Sequence, residues 1–361
     1  AFIAEAKVKN GALQLPGGSF KALVIPEVKY MPLETLKKLL QLKKEGANII
    51  FKALPQGVPG FKDFRSKERE LTYLLKSNQI QPQQNIDAAL QAAHVKPEQL
   101  VNSGLKYIRR ELNGEKIYFL VNHTAKKVDE YIPIQHQTNQ VTLFDALSNT
   151  KGKAKIEQEG EVTKVWVQLE PGESVFLKTG RENEVNDWLY VEEEKESFEL
   201  TGNWKIDFLR GGPKLPASGE MKNLSTWTDL GTDAENFSGT ASYELKFDAP
   251  ISDVKLWKLD LGEVRESAKV WLNGEYVGSS WSIPHQLILK NLKNKNNTLR
   301  MEVTNLPANR IRAKENRGEE WKIFYEINMV NKDYKEFDAT KWEVTPSGLV
   351  SPIKLIPLKK K

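Results

Sequence analysis

The stretch LDLGEVRESAKVWLNGEYVGSSWSIPHQLIL, residues 259–289, decides how the C-terminal part of the chain folds. Ala268, Val270 and Leu272 alternate with Lys269, Trp271 and Asn273, a period of two that gives a strand one apolar and one mixed face. Asn273-Gly274 follows at once; both residues tolerate positive φ, and the pair is the strongest short-range hairpin signal. Tyr276 and Val277 begin the returning strand, and Trp281, Pro284 and His285 fall in a loop at the end of the sheet. A rigid sheet that presents an aromatic ring and hydrogen-bonding groups from its loops suits a polar ring as ligand. The competing reading is an ordinary sandwich hairpin.

Strands with the same alternation flank this stretch. Ala241, Tyr243, Leu245 and Phe247 alternate with Ser242, Glu244 and Lys246, and Leu299, Met301 and Val303 with Arg300, Glu302 and Thr304. Each supplies one apolar face to a two-sheet core, which predicts a jelly roll over residues 197–361. Residues 104–178 read as a β-sandwich: Ile117, Phe119 and Val121 alternate with Lys116, Tyr118 and Leu120, and Val165, Val167 and Leu169 with Trp166 and Gln168. Residues 179–196 read as a solvated connector, because Glu192, Glu193, Glu194 and Glu196 form a like-charge block around Lys195.

Residues 1–103 read differently. KALVIP at 21–26 is a short apolar strand of the buried parallel type. Pro32 suits a first helical turn, Leu33, Leu36, Leu39 and Leu40 form a helical stripe, and Gly46 suits a left-handed cap. ANIIF at 47–51 is the next strand, completing one βαβ unit, with two more helices near 66–77 and 85–93. No G-x-G-x-x-G follows the first strand, and the amidotransferase-like turn that would carry a nucleophilic Cys has none. A packing domain without its own chemistry is expected there.

Composition narrows the function classes. The 361 residues contain no cysteine, which excludes disulfides, thiolate metal sites and cysteine nucleophiles. The four histidines (His94, His123, His136 and His285) are scattered, without the spacing of a metal site. The net charge is +5; residues 1–100 hold 15 Lys and Arg against 9 Asp and Glu, but no aromatic-interleaved basic stripe, so nucleic acid is not expected as a partner. No apolar run approaches the roughly 18 residues that span a bilayer. No signal peptide is visible, and a start at Ala1 fits a mature product or a cut piece.

At Trp227, FSGTASY (237–243), LDLGEVRESAKVWLNGEYVG (259–278) and WSIPHQL (281–287) the chain resembles the C-terminal part of α-L-rhamnosidases of glycoside hydrolase family 106. The resemblance continues through VTNLPANRIR (303–312), EEWKIFYEINMVN (319–331), FDATKW (337–342) and PSGLVSPIKL (346–355). Residues 11–54 look like the α/β domain that follows the barrel in that family, and YIRRELNGEKIYFLVNHT (107–124) like the start of its sandwich. The resemblance implies a small flavodoxin-like or amidotransferase-like α/β domain, a β-sandwich, and a terminal galactose-binding-like jelly roll similar to the sugar-binding domain of family 2 enzymes. It also implies a preceding (β/α)₈ barrel with two glutamates and a calcium site. Such a barrel needs roughly 250 residues of repeated strand and helix, which this chain does not contain. The expectation is therefore a non-catalytic C-terminal portion of a secreted or periplasmic glycosidase. It has no cofactor of its own, and calcium belongs to the absent barrel. Its expected partners are a rhamnose-containing glycan and that barrel, touched within the same protein. A stand-alone carbohydrate-binding protein, a family 2-like β-galactosidase fragment and an interaction scaffold remain alternatives.

Glycosidase chemistry needs two carboxyl groups flanking one bond, roughly 5–5.5 Å apart for retention or 6.5–9.5 Å for inversion. Glu315, Glu319, Glu320 and Glu326 sit among Arg310, Arg312, Lys314, Arg317 and Lys322, cations that keep carboxyls ionised and unfit as general acids. Binding suits this segment better. The amide of Asn309 and the guanidiniums of Arg310, Arg312 and Arg317 can reach sugar hydroxyls, and Trp321 can cover the C–H face of a ring. An ion-pair network locking a long loop is an equal alternative. Trp281 and His285 form the second candidate group, and Trp227 ranks behind them.

Overall fold

The computed structural model describes residues 2–182, 185–194, 196–250, 254–322, 335 and 337–361. The chain divides into two compact units, residues 1–98 and 99–361. Strand outweighs helix, and antiparallel sheets dominate the larger unit.

In the first unit the strands Ala22–Ile25 and Asn48–Phe51 pair in parallel, joined through the helix Leu33–Lys44. That helix buries Leu33, Leu36, Leu39 and Leu42, one residue every turn on a single face. It ends as the leucines predict, with Gly46 at φ +100°, a region that costs any other residue strain. An antiparallel meander, Lys7–Lys9, Ala12–Leu15 and Gly18–Phe20, precedes the pair, and the helices Phe64–Ser77 and Ile86–Ala92 follow it. Asn85 caps the second of these by accepting the Ala88 N–H at 2.9 Å.

The second unit opens with two facing sheets. One is five-stranded, in the order Thr150–Lys153, Val141–Asp145, Ser174–Thr179, Glu115–Asn122, Leu105–Leu112; the other contains Ile156–Glu159, Val162–Leu169 and Val128–Ile134. Val165, Val167 and Leu169 face the core as their alternation requires. In Glu115–Asn122 the core face is Tyr118, Leu120 and Asn122, while Phe119 lies on the other face, 5.0 Å from the Phe176 ring. Both faces of that strand are apolar, so its neighbours select the buried one.

The rest of the chain builds two larger sheets around one core, and a short pair, Val264–Arg265 with Gly348–Leu349. The first is six-stranded, in the order Gly219–Met221, Trp204–Gly212, Ser238–Phe247, Asn297–Thr304, Ser267–Leu272, Glu275–Ser280. The second contains Val191–Glu193, Phe198–Glu199, Lys354–Lys360, Leu256–Asp260 and Gln286–Lys290. Trp204, Trp227, Phe237, Tyr243, Trp257, Val270 and Met301 fill the space between them. The turn of the opening hairpin has Asn273 at φ +54° and Gly274 at φ +86°, the two positive values a two-residue primed turn requires. Gly348, at φ +98°, lets the backbone close over this core: a Cβ there would lie 2.2 Å from the Tyr243 hydroxyl.

Charged contacts tie the sandwich to these sheets. Val191–Glu193, inside the segment read as a connector, is an edge strand paired with Lys354–Lys360. Glu193 ion-pairs with Lys258, which also lies 3.9 Å from Glu170; Lys127 reaches Glu170 at 2.8 Å. Lys361 bonds Asp129 at 2.9 Å and sits 5.0 Å over the Trp166 ring. Of the acidic run, Glu193 alone is ion-paired among the described residues, and Glu192, Glu194 and Glu196 are exposed to water.

Candidate functional site

The face of the six-stranded sheet away from its core is polar, and the strand register lines its side chains in rows. Arg210, Thr240, Thr304 and Ser267 are successive cross-strand partners. Asp207, Ser242, Glu302, Lys269 and Ser279 form the next row, and Lys205, Glu244, Arg300, Trp271 and Tyr276 the third. Directly opposed residues have Cβ atoms about 5 Å apart, so each row is a line of contact. Arg300 ion-pairs with Glu302 and lies 4.7 Å from the Trp271 ring centroid, which rests 5.6 Å from Tyr276. A cleft of about 220 Å³ opens on this face, lined in part by Arg210, Lys269, Glu302, Ser267, Ser279 and Trp281. Trp281 stands at its end 63% exposed, an unusual cost for so large an apolar ring in water.

His285, four residues on, takes the opposite position. It is 7% exposed, and its Nδ1 is 2.9 Å from the Ser280 hydroxyl. Burial pushes the ring's pKa below its ordinary value, so it is neutral near pH 7. His285 supports the turn from behind, while Trp281 presents the surface.

The other candidates lie on or beside the helix Ala308–Asn316. Asn309 is buried, and both ends of its amide meet Thr345: Nδ2 donates to the carbonyl and Oδ1 accepts the N–H, each at 2.8 Å. Arg312 donates from Nε to the Trp342 carbonyl at 2.9 Å and from Nη1 to Glu235 at 3.0 Å. Arg317 is exposed and bonds Glu319 at 2.6 Å. Trp321 donates from Nε1 to Glu315 at 2.7 Å and packs edge-on against Phe337, which packs edge-on against Trp342. Arg310 has no ion pair among the described residues; its guanidinium lies against Gly212, two residues along the strand from Arg210. Asn309, Arg312, Arg317 and Trp321 therefore have intramolecular polar partners, Arg317 on the exposed surface, and Arg310 is half-buried. Trp227 is fully buried, edge-on to Phe208 and Phe237, and belongs to the core.

Of the acids weighed, Glu319 is held below the usual carboxyl range by its bond to Arg317, with Lys314 beside it at 3.3 Å. It is ionised at neutral pH, the wrong state for a general acid. Glu326, and residues 323–331 of the motif that contains it, lie outside the described residues. Among the described residues no group of three or more His, Asp or Glu is placed to hold a metal ion, and no helix is long and apolar enough to cross a membrane.

Arg210, Lys269 and Glu302 were absent from the sequence-derived site. The alternation exposes a polar face on each strand but says nothing about which strands are neighbours.

Residues 1–156 match the model of glycoside hydrolase family 106, described as α-L-rhamnosidase. A rhamnosidase structure from Novosphingobium sp. PP1Y superposes on 98% of this chain with a TM-score of 0.69 and 23% identity. A Formosa agariphila protein that bears the name β-glucuronidase is 36% identical over 120 residues, 31% of this chain. The chain spans 35% of the rhamnosidase's length, and its match to the Formosa protein spans 10% of that sequence. The likeness to family 106 read from the sequence is thus present in the N-terminal half, and the fold likeness extends along nearly the whole chain.

Proposed function

We propose that this chain, which carries the family 106 signature at residues 1–156, is the accessory, carbohydrate-contacting part of a glycoside hydrolase acting on rhamnose-containing glycans. The observation that carries this reading is Trp281, an exposed ring at the end of a cleft lined by hydroxyl, guanidinium, ammonium and carboxylate groups. Such a ring covers the C–H side of a sugar while polar neighbours take its hydroxyls. Arg310, Arg317 and Trp321 offer a second contact zone; Asn309, Arg312 and His285 hold these surfaces in place.

In this reading hydrolysis belongs to two glutamates of a barrel outside these residues, which also holds any calcium; no residue here is catalytic. Residues 1–103 are a flavodoxin-like or amidotransferase-like α/β domain that braces the barrel, and the exposed rings of Tyr30, Phe61 and Tyr73 support that contact. Residues 104–178 are a sandwich, 179–196 a connector, and 197–361 a galactose-binding-like jelly roll, in a secreted or periplasmic protein. Calorimetry with rhamnose and galactose oligosaccharides tests the binding, which should weaken in Trp281→Ala; absence of any binding overturns the reading. Incubation with a nitrophenyl rhamnoside tests the rest, because clear turnover by this chain overturns the non-catalytic assignment.

A further inference from the structure

We infer that the cleft on the six-stranded sheet takes a hexuronate, the carboxylated sugar unit of an acidic glycan, with Arg210 and Lys269 on the carboxylate and Trp281 against the ring. This rests on the carbohydrate-binding reading above and adds the ligand's charge and the residues that read it.

Three ionic side chains line the cleft: Arg210, Lys269 and Glu302. Glu302 is engaged by Arg300, so its charge is matched before any ligand arrives. Arg210 donates only from Nε, to the Thr240 hydroxyl at 3.3 Å, and no ion pair holds its terminal nitrogens among the described residues. Thr240 in turn bonds Thr304 at 2.8 Å, which fixes the hydroxyl that orients the guanidinium. Lys269 stands directly across from Glu302, yet no ion pair joins them, because Arg300 holds that carboxylate. Asp207, the other acid of that row, is bonded to Lys205 at 2.7 Å. Two cations therefore share one cleft without a carboxylate of their own. Like charges repel, and an anion between them removes the repulsion and gains charge-assisted hydrogen bonds. A guanidinium presents two parallel N–H groups to a carboxylate, and an ammonium adds a point charge beside them.

Size and lining choose a sugar among anions. The cleft is smaller than the roughly 300–1,000 Å³ that drug-sized ligands occupy, which suits one ring. Ser267 and Ser279 line it with hydroxyls, that of Ser279 2.7 Å from the Tyr276 hydroxyl, and the exposed indole of Trp281 offers a flat apolar face. A small inorganic anion would use the cations and leave the indole idle.

The test is calorimetry of the 361-residue chain with galacturonic acid oligomers, their methyl esters, and neutral rhamnose and galactose oligomers. The acid form is expected to bind at least ten-fold tighter than the ester and to weaken as salt is raised. Arg210→Gln and Lys269→Met should each weaken the acid form by about ten-fold, the scale of one lost charge-assisted bond, and weaken the ester by clearly less. Trp281→Ala should weaken both. Both cationic positions are exposed, so the variants should keep the wild-type melting temperature. Equal affinity for acid and ester, unaltered by either charge variant, overturns the hexuronate assignment while carbohydrate binding stands. Failure to bind any of these glycans removes both.

Discussion

Replacing Lys258 with Met should loosen the edge strand Val191–Glu193 on its own sheet and that sheet's contact with Glu170 of the sandwich. The ammonium ion-pairs with Glu193, lies 3.9 Å from Glu170, and is buried, its side chain 11% exposed against 36% for Glu193 and 23% for Glu170. Met keeps most of the apolar stem and removes the charge. Breaking a fully buried pair by deleting one partner costs about 3–5 kcal/mol, whereas exposed pairs contribute about 0.2–1 kcal/mol. Here the cation is buried and its main partner more than one-third exposed, so water recovers part of the loss. We expect Lys258→Met to cost about 2 kcal/mol, between those limits. For a unit of this size that corresponds to a fall in Tm of about 4–8 °C. Scanning calorimetry of Lys258→Met, Glu193→Gln and the double variant measures it, with a coupling of about 1 kcal/mol expected between the two sites. A loss below about 0.5 kcal/mol with no coupling would refute the idea that this pair holds the edge strand Val191–Glu193 on its sheet.

Other outcomes follow from the same packing and charges. Trp227→Ala should cost about 3–5 kcal/mol in urea unfolding, since the ring is fully buried against Phe208 and Phe237; a loss under about 1.5 kcal/mol would mean the core collapses around the gap. Burial raises the Glu173 carboxyl pKa, so the folded state loses stability as pH rises from the ordinary 4.5 through the raised value. Glu173→Gln should therefore be more stable than wild type at pH 7, with the gain closing as pH falls below 4.5; equal stability at pH 7 would contradict it. The folded-state pKa of His285 lies below 6.5, so the unfolded chain binds its proton first and stability declines as pH falls below 6.5. An NMR titration of the ring with a midpoint at or above 6.5 would show that it is not held in the desolvated site.

Local patterns carried a large part of this architecture. The leucine stripe of 33–44 and the apolar strands around it specify a helix between parallel strands, because each signal lies within a dozen residues. The pair Asn273-Gly274 specifies its turn for the same reason: positive φ is a property of those residues themselves. The motifs also carried the likeness to family 106. The candidate site was legible only in part. Trp281 and Trp227 are both loop tryptophans by sequence, yet one is 63% exposed and the other fully buried. The difference is what covers them, and Trp227 is covered by Phe208, Phe237 and the backbone at Gly348.

By itself, then, the sequence determined the leucine helix between its parallel strands, the Asn273-Gly274 turn, and that each strand has two chemically distinct faces, but not the helix Ala308–Asn316 or the edge strand Val191–Glu193, whose segments read as a loop and a connector. Only the tertiary structure decided which face is buried, as with Tyr118 and Leu120 over Phe119, and which polar faces become neighbours. Arg210, Lys269 and Glu302 come together because strands distant in sequence pair in one register. Alternation is a local property of the backbone; register is set by the whole core, so the cleft exists only once the sheet is assembled.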